Sequence, residues 1–227
     1  MLINRRSFLT TATSSALLAG CAGASHGAEH PKAGEGEDEV TPVEDLMREH
    51  GVLRRVMYLY DEACLRLDGR REVPLDALAA GAAIIRRVIE DYHEKLEENL
   101  LFPRFERAGK LADLTAILRR QHQVGRDVTD QIVALVKAPL ADADRAKLAA
   151  VLRSFNHMYR PHAAREDTVL FPELRGLVGA KAYAELGEEF EDKEKQMLGD
   201  HGFEHAVADV ARLEQAFGVD DLAKLTA

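Results

Sequence analysis

Residues that cross-link or rigidify small folds are scarce in this sequence. Among 227 residues there are 2 cysteines and no tryptophan, and aromatic side chains make up 6% of the chain. Two cysteines are too few for a disulfide-stapled fold or a cysteine-rich zinc module. The hydrophobic content of 46% is still that of a globular protein. A chain of this length can bury a core, so neither wholesale disorder nor a polytopic membrane protein fits.

Positive charge is also in short supply. The chain has 30 lysine and arginine residues against 39 aspartate and glutamate residues, which gives a net charge of −9. This balance argues against nucleic-acid binding through a basic surface, so we expect no nucleic-acid partner. Alanine, leucine, glutamate and arginine dominate instead, and this composition favours helices.

An export signal peptide is predicted over residues 1–20. Arg5-Arg6 followed by Phe8-Leu9 is typical of a twin-arginine signal. The apolar run that follows is shorter than the ~20 residues of a membrane span. Leu-Ala-Gly before Cys21 matches a bacterial lipoprotein box. We therefore expect lipidation of Cys21 to anchor the mature protein on the periplasmic side of a bacterial membrane. The alternative is an ordinary secretory signal with a chance cysteine.

Three further segments follow the signal. Residues 21–40 contain almost no large apolar groups and are predicted to form a disordered tether. Thr41-Pro42-Val43-Glu44 is a capping box with proline at the first helical position, so a helix is expected to begin there. We place a four-helix bundle at 41–175 and an accessory C-terminal helical segment at 176–227.

Hydrophobic periodicity predicts an all-α fold. Apolar residues recur at spacings of three and four along four stretches, and no stretch alternates as a strand does. Phe102-Pro103 is expected to disturb the end of the second helix before Gly109 closes it. Phe171-Pro172 is expected to end the fourth helix, and Pro161 to kink it. The four helices predict an up-down bundle, followed by an accessory C-terminal helix with a break at Gly199 to Gly202.

An internal two-fold repeat relates the two halves of this bundle. In each half a lone histidine is followed, about 40 residues later, by His-x-x-x-Glu, which leads into Leu-Phe-Pro. Residues four apart share a helix face, so all of these side chains can face one interior. Six residues occupy the repeat-equivalent positions: His50, His93 and Glu97 in the first half, and His122, His162 and Glu166 in the second.

Burying four imidazoles and two carboxylates together is unfavourable unless something compensates them. A pair of metal ions does so, because each imidazole supplies one nitrogen and each carboxylate can bridge two cations. Mixed imidazole and carboxylate donors with an open position favour iron, with manganese or zinc behind it. A single histidine on an apolar face, or one His-x-x-x-Glu, would mean little. Six such residues at repeat-equivalent places favour a metal site.

This constellation resembles the hemerythrin-like family, the His-His-Glu cation-binding domains, over about residues 43–175. The resemblance implies two non-haem iron ions, bridged by an oxo or hydroxo group, on the six residues. The chain departs from the oxygen-carrying hemerythrins at Arg126, where they have a further histidine, and at His162 and Glu166, where they have His-x-x-x-x-Asp. Ferritin-like proteins are a weaker match, because their Glu-x-x-His signature does not occur at these positions.

The resemblance implies binding or sensing of oxygen or a related small oxidant, with a diatomic molecule or peroxide as the ligand. One metal ligand fewer makes the two irons more alike and argues against simple reversible oxygen carriage. One alternative is a di-iron enzyme that consumes peroxide or nitric oxide. The other is an iron-handling or buffering protein, ranked last because a single site stores little iron.

The repeat is asymmetric three residues after each lone histidine. Leu53 follows His50 at this spacing, whereas Gly125 follows His122. We hypothesise that a gap beside Gly125 accommodates the exogenous ligand. The alternative is close packing of the third helix against a neighbour.

The remaining histidines and two tyrosines receive weaker interpretations. His157 lies on a different helix face from the ligands. His201 and His205 are four apart, which permits a second metal site, although exposure to solvent is the favoured interpretation. Tyr92 and Tyr159 neighbour ligand turns, and core packing is favoured over hydrogen bonding to the ligand groups.

Overall fold

Helix follows helix through the part of the chain that the structure describes. The computed structural model describes residues 40–137 and 140–226, and no strand occurs within these ranges. The all-α prediction is therefore confirmed. The predicted export signal, Cys21 and all but the last residue of the predicted tether lie outside the described residues.

Six long helical stretches, named here α1 to α6, make up most of the described residues. They are α1 (Pro42–Asp68), α2 (75–107), α3 (Ala112–Val136), α4 (142–178), α5 (Ala180–Leu198) and α6 (Gly202–Phe217), followed by a 3₁₀ turn (Leu222–Leu225). The accessory segment thus contains two long helices rather than one, and the break between them falls where the glycines predict it.

The capping box at the start of α1 is formed as predicted. The Thr41 hydroxyl accepts the backbone N–H of Glu44, and the Glu44 carboxylate accepts the backbone N–H of Thr41. Pro42 is the first helical residue. This cap satisfies two donors that a helix start otherwise leaves unpaired.

Turns of π-helix interrupt α2 and α4 beside the predicted ligands. In α2, π-helix covers Ile85–His93 and Glu97–Leu101, and α-helix resumes at Phe102–Arg107. In α4, α-helix covers Asp142–Arg165, π-helix covers Glu166–Leu170, and α-helix resumes at Phe171–Val178.

The π turn before Phe102-Pro103 disturbs α2 where expected, but the π turn before Phe171-Pro172 shows that the expected helix end there is wrong. The N–H of Phe102 donates to the carbonyl of Glu97, five residues back, and the N–H of Phe171 donates likewise to the carbonyl of Glu166. The wider turn accommodates a proline that has no N–H to donate, so the helix continues past it.

Helices α1 to α4 pack in a closed ring. α1 packs against α2 and α4, and α3 packs against the same two helices. α5 and α6 lie against α1 and α2, on one side of this ring. Among the described helices, none combines the length and the apolar character needed to cross a bilayer.

Two buried apolar clusters fill the interior on either side of the predicted ligands. The larger includes Val56, Ile85, Ile132, Leu152 and Val210, and the smaller includes Leu46, Leu101, Leu118, Leu170 and Phe190. Cys64 is buried in the larger cluster, where it packs as a small core residue. The polar ligands therefore lie between two dry layers, where water competes weakly for them.

Two arginines of α1 hold α6 against that helix. The Arg55 guanidinium makes two hydrogen bonds of 2.7 and 2.6 Å to the Glu214 carboxylate. Arg66 donates to the backbone carbonyl of Phe217 over 2.6 Å, and its guanidinium lies over the ring of that residue. The accessory segment is thus part of the folded core.

Candidate metal centre

The six predicted ligands meet in one cluster, and none exposes more than 4% of its surface. α1 supplies His50, α2 supplies His93 and Glu97, α3 supplies His122, and α4 supplies His162 and Glu166. The rings of His50 and His93 have centroids 4.7 Å apart, and those of His122 and His162 are 4.9 Å apart. The histidines therefore form two pairs, called here the α1–α2 pair and the α3–α4 pair.

Each carboxylate reaches both histidine pairs. Glu166 places Oε2 3.4 Å from His50 Nε2 and Oε1 3.1 Å from His162 Nε2. Glu97 Oε2 lies 3.7 Å from one Nε2 of the α1–α2 pair and 3.4 Å from one Nε2 of the α3–α4 pair. This is the arrangement that two bridging carboxylates require.

The lone histidine of each half is held by the helix that carries the other half's glutamate. His50 Nδ1 lies 2.7 Å from Asp167 Oδ1, and His122 Nδ1 lies 3.1 Å from Glu98 Oε1. Because a carboxylate accepts a hydrogen bond, each Nδ1 carries the proton and donates it. Each Nε2 then faces the cluster.

The second histidine of each half is held by the residue that precedes the lone histidine. His93 Nδ1 lies 2.8 Å from Glu49 Oε2, and His162 Nδ1 lies 2.9 Å from Gln121 Oε1. All four imidazoles thus turn Nδ1 outward to an acceptor and Nε2 inward. That orientation is typical of histidines that bind a metal through Nε2.

The repeated Leu-Phe-Pro places a ring against each lone histidine. Phe171 stacks on the His50 ring at 5.6 Å between centroids, and Phe102 stacks on the His122 ring at 5.5 Å. Each phenylalanine follows a π turn directly. The motif thus covers the imidazole of the opposite half, which leaves that ring little freedom to rotate.

Glu97 and Glu166 repel each other when both carboxylates are charged. Burial raises the pKa of Glu97 well above its usual value, and the charge of Glu166 raises it further. Burial acts on Glu166 in the same direction, but His162 and His50 outweigh it and hold the pKa of Glu166 well below its usual value. All four oxygens are buried without a hydrogen bond from any described residue. Cations placed between the carboxylates would offset their repulsion and the cost of burying them, so the residues fit a metal pair.

The pKa values of the histidines shift in different directions. Burial lowers the pKa of His93, and it lowers the pKa of His122 to about 4, so both rings are neutral near pH 7. Burial also acts to lower the pKa of His50, but Asp167 and Glu166 raise it to about 9. Because a metal needs a free imidazole nitrogen, binding at His50 has to displace a proton.

Arg126 turns away from the cluster. Its Nη2 lies 2.7 Å from Glu94 Oε2 and 2.7 Å from Glu98 Oε1. Glu94, Glu98 and His122 also offer ligand atoms within 4.8 Å of one another. The guanidinium already serves as the cation for these two carboxylates, so this second group is explained without a metal.

The gap predicted beside Gly125 does not exist. A Cβ on residue 125 would lie 1.9 Å from the Tyr159 hydroxyl oxygen and 2.7 Å from the ring carbon that bears it. The absence of a side chain makes room for this phenol, which donates over 2.8 Å to Glu94 Oε1. The alternative of close helix packing therefore holds, and Tyr159 makes a hydrogen bond in addition to packing.

The other histidines lie outside the cluster. His157, His201 and His205 are exposed, and the rings of the last two are 6.5 Å apart between centroids. Among the described residues, neither group of three or more potential ligands includes them. Tyr92 is buried and donates to the backbone carbonyl of Phe190, as core packing predicts.

The four Nδ1 acceptors are functional residues that ligand spacing alone does not reveal. Glu49 and Gln121 each precede a lone histidine, while Glu98 follows Glu97 and Asp167 follows Glu166. An adjacent residue on a helix points about 100° away from its neighbour, which directs it toward the next helix of the bundle. Polar residues at repeat-equivalent positions beside each ligand are the pattern that identifies them.

Comparison with known proteins agrees with this geometry. Residues 41–174 match the family model described as the hemerythrin HHE cation-binding domain. The chain belongs to the hemerythrin family. This hemerythrin-family protein is therefore helical and metal-binding, and its matched region ends within α4, so that α5 and α6 lie beyond it.

Relatives of this hemerythrin-family protein occur in mycobacteria. Proteins of Mycobacterium bovis and Mycobacterium tuberculosis, each named only as uncharacterised, are 41% identical to it over 237 residues. The similarity covers 99% of this chain and 91% of each relative, so it extends well beyond the matched domain. No solved structure shows a significant match to the chain.

Proposed function

We propose that this protein holds two iron ions and uses them to bind or sense oxygen or a related small oxidant. The proposed ligands are His50, His93, Glu97, His122, His162 and Glu166. One observation carries the proposal: all four imidazoles turn Nε2 toward two buried carboxylates that have no other partner among the described residues.

The protein residues would bind, orient and shield the metal pair. The two glutamates would bridge, because each reaches both histidine pairs. The four acceptors would fix the rings, and the two phenylalanines and the apolar clusters would exclude water. When bound, an iron pair supplies an open coordination position and reversible one-electron chemistry for a small oxidant.

The scaffold that we propose is an up-down bundle of α1 to α4. The closed ring of helix contacts supports it, since each of the four helices packs against two others of the set. The repeat supports it too, because each half completes the site of the other.

We further propose that the protein is exported by the twin-arginine route and anchored through a lipid on Cys21. Arg5-Arg6 and the Leu-Ala-Gly-Cys box support this. The twin-arginine route carries folded proteins, which would allow iron to be inserted before export.

The function is tested by mixing the reduced, iron-loaded chain with oxygen, peroxide or nitric oxide in a stopped-flow spectrometer. A stable spectrum with oxygen supports binding or sensing. Catalytic consumption of peroxide or nitric oxide would instead assign an enzyme. Iron that is held but reacts with none of the three would contradict the proposal and favour iron handling.

A further inference from the structure

We propose that the two metal positions are inequivalent, and that the position at His122 and His162 holds its metal more weakly than the position at His50 and His93. The inference rests on the proposed paired centre and adds the order in which its positions fill and empty. It is based on the residues that accept a hydrogen bond from Nδ1 of each histidine.

The inner donors of the two positions are the same. Each position has two imidazoles, and both positions share Glu97 and Glu166, which lie between the pairs. A difference in metal affinity must therefore come from the groups behind the imidazoles, which tune how strongly each ring donates.

Two carboxylates lie behind the α1–α2 pair. Glu49 accepts from His93 and is 1% exposed, and Asp167 accepts from His50. Asp167 is in turn paired with the Arg54 guanidinium. Both acceptors behind this pair are therefore carboxylates.

Only one of the two acceptors behind the α3–α4 pair is a carboxylate. His162 donates to the neutral amide oxygen of Gln121, whereas His122 donates to the Glu98 carboxylate. Glu98 is paired with both Lys95, at 2.6 Å, and Arg126, at 2.7 Å. Arg126 is shared with the buried Glu94. Two cations thus contact the carboxylate acceptor of this pair.

The difference traces to one repeat-equivalent pair of residues, Glu49 and Gln121. A carboxylate acceptor makes an imidazole a stronger donor than an amide acceptor does. This effect favours the metal at the α1–α2 pair. Loss of an outer carboxylate partner typically lowers metal affinity about 10–100-fold.

The experiment titrates the full chain with Zn²⁺, a diamagnetic probe, against a competing chelator, and follows ¹⁵N spectra of the histidine rings. We expect two Zn²⁺ per chain, with dissociation constants at least about tenfold apart. At one equivalent of Zn²⁺, the resonances of His50 and His93 should shift, while those of His122 and His162 stay in place.

Exchanging the two acceptors provides a matched control at constant charge. Gln121→Glu alone should tighten the weaker site about tenfold, and Glu49→Gln alone should weaken the tighter site by a similar factor. The double variant with both exchanges should reverse the order, so that His122 and His162 shift first. A merely structural role for these residues would not reverse it.

The outcomes separate the two claims. Two Zn²⁺ that bind with equal affinity, or an order of filling that the exchange leaves unchanged, overturn the inequivalence alone. Saturation at one Zn²⁺ per chain overturns the paired centre, and the inference with it.

Discussion

A histidine that binds a metal through one nitrogen needs the other nitrogen held, and each acceptor here lies directly beside a ligand in sequence. Asp167 follows Glu166 and orients His50 on another helix. Glu98 follows Glu97 and orients His122 in the same way. Successive side chains of a helix point about 100° apart. The glutamate of each adjacent pair therefore faces the cluster, while the residue after it accepts a hydrogen bond from a histidine on another helix.

The role of these acceptors is testable at Asp167. Asp167→Asn replaces an anion by an amide that donates as readily as it accepts, so His50 loses its fixed orientation. We expect metal affinity to fall about 10–100-fold, measured by competition with a chelator. Asp130→Asn is the control, because Asp130 is 74% exposed and pairs only with Arg86 among the contacts described. Equal affinities for both variants would contradict the role of Asp167.

Gly125 tests the packing of Tyr159. An alanine Cβ would overlap the phenol, so we expect Gly125→Ala to lower the free energy of unfolding by about 1–3 kcal/mol. Gly176→Ala is the control, because nothing lies within 4 Å of that position. It should raise the free energy of unfolding by up to about 1 kcal/mol, through helix propensity. Chemical denaturation measures both, and stabilisation by Gly125→Ala would show that Tyr159 does not occupy the space.

At the scale of elements, the π turns explain why proline marks the site without ending a helix. Pro103 and Pro172 follow the π turns that begin at Glu97 and Glu166. A sequence pattern identifies the proline, but an i to i+5 hydrogen bond leaves no mark in hydrophobic periodicity. The predicted helix end at Phe171-Pro172 is therefore wrong, because the local geometry there departs from a regular α-helix.

The C-terminal helix α6 is predicted to contribute to stability. Phe217 is 2% exposed and lies beneath the Arg66 guanidinium. Phe217→Ala should lower the free energy of unfolding by about 3–5 kcal/mol, because it leaves a cavity between α6 and α1. Leu222→Ala, at a residue 77% exposed, should change it by less than about 0.5 kcal/mol. Comparable small effects of both changes in thermal unfolding would mean that α6 is not part of the cooperative core.

For the whole molecule, the sequence predicts the helical class and the convergence of six residues, because periodicity and repeat spacing fix which face of each helix turns inward. It does not predict the Tyr159 phenol against Gly125, since that contact depends on the distance between α3 and α4. Nor does it show that the accessory segment packs on α1 and α2. Contacts between distant residues such as Arg55 and Glu214 have no local pattern.

The proposed anchor is independent of the fold. Cys21→Ala should leave metal content and folding unchanged but move the protein from the membrane fraction to the soluble fraction. Replacing Arg5 and Arg6 by lysine should block export if the twin-arginine route is used. Fractionation followed by immunoblotting measures both. Membrane retention of the Cys21 variant would contradict lipid anchoring, and normal export of the double-lysine variant would point to the general secretory route.

The central claim is that one chain holds two metals between two bridging glutamates. The direct test is iron content together with the Mössbauer spectrum of the iron-loaded full chain, compared with Glu97→Ala and Glu166→Ala. We predict two magnetically coupled irons per chain, with the coupling abolished in either glutamate variant. A single iron per chain, or two irons whose coupling is unchanged in both variants, would contradict the account.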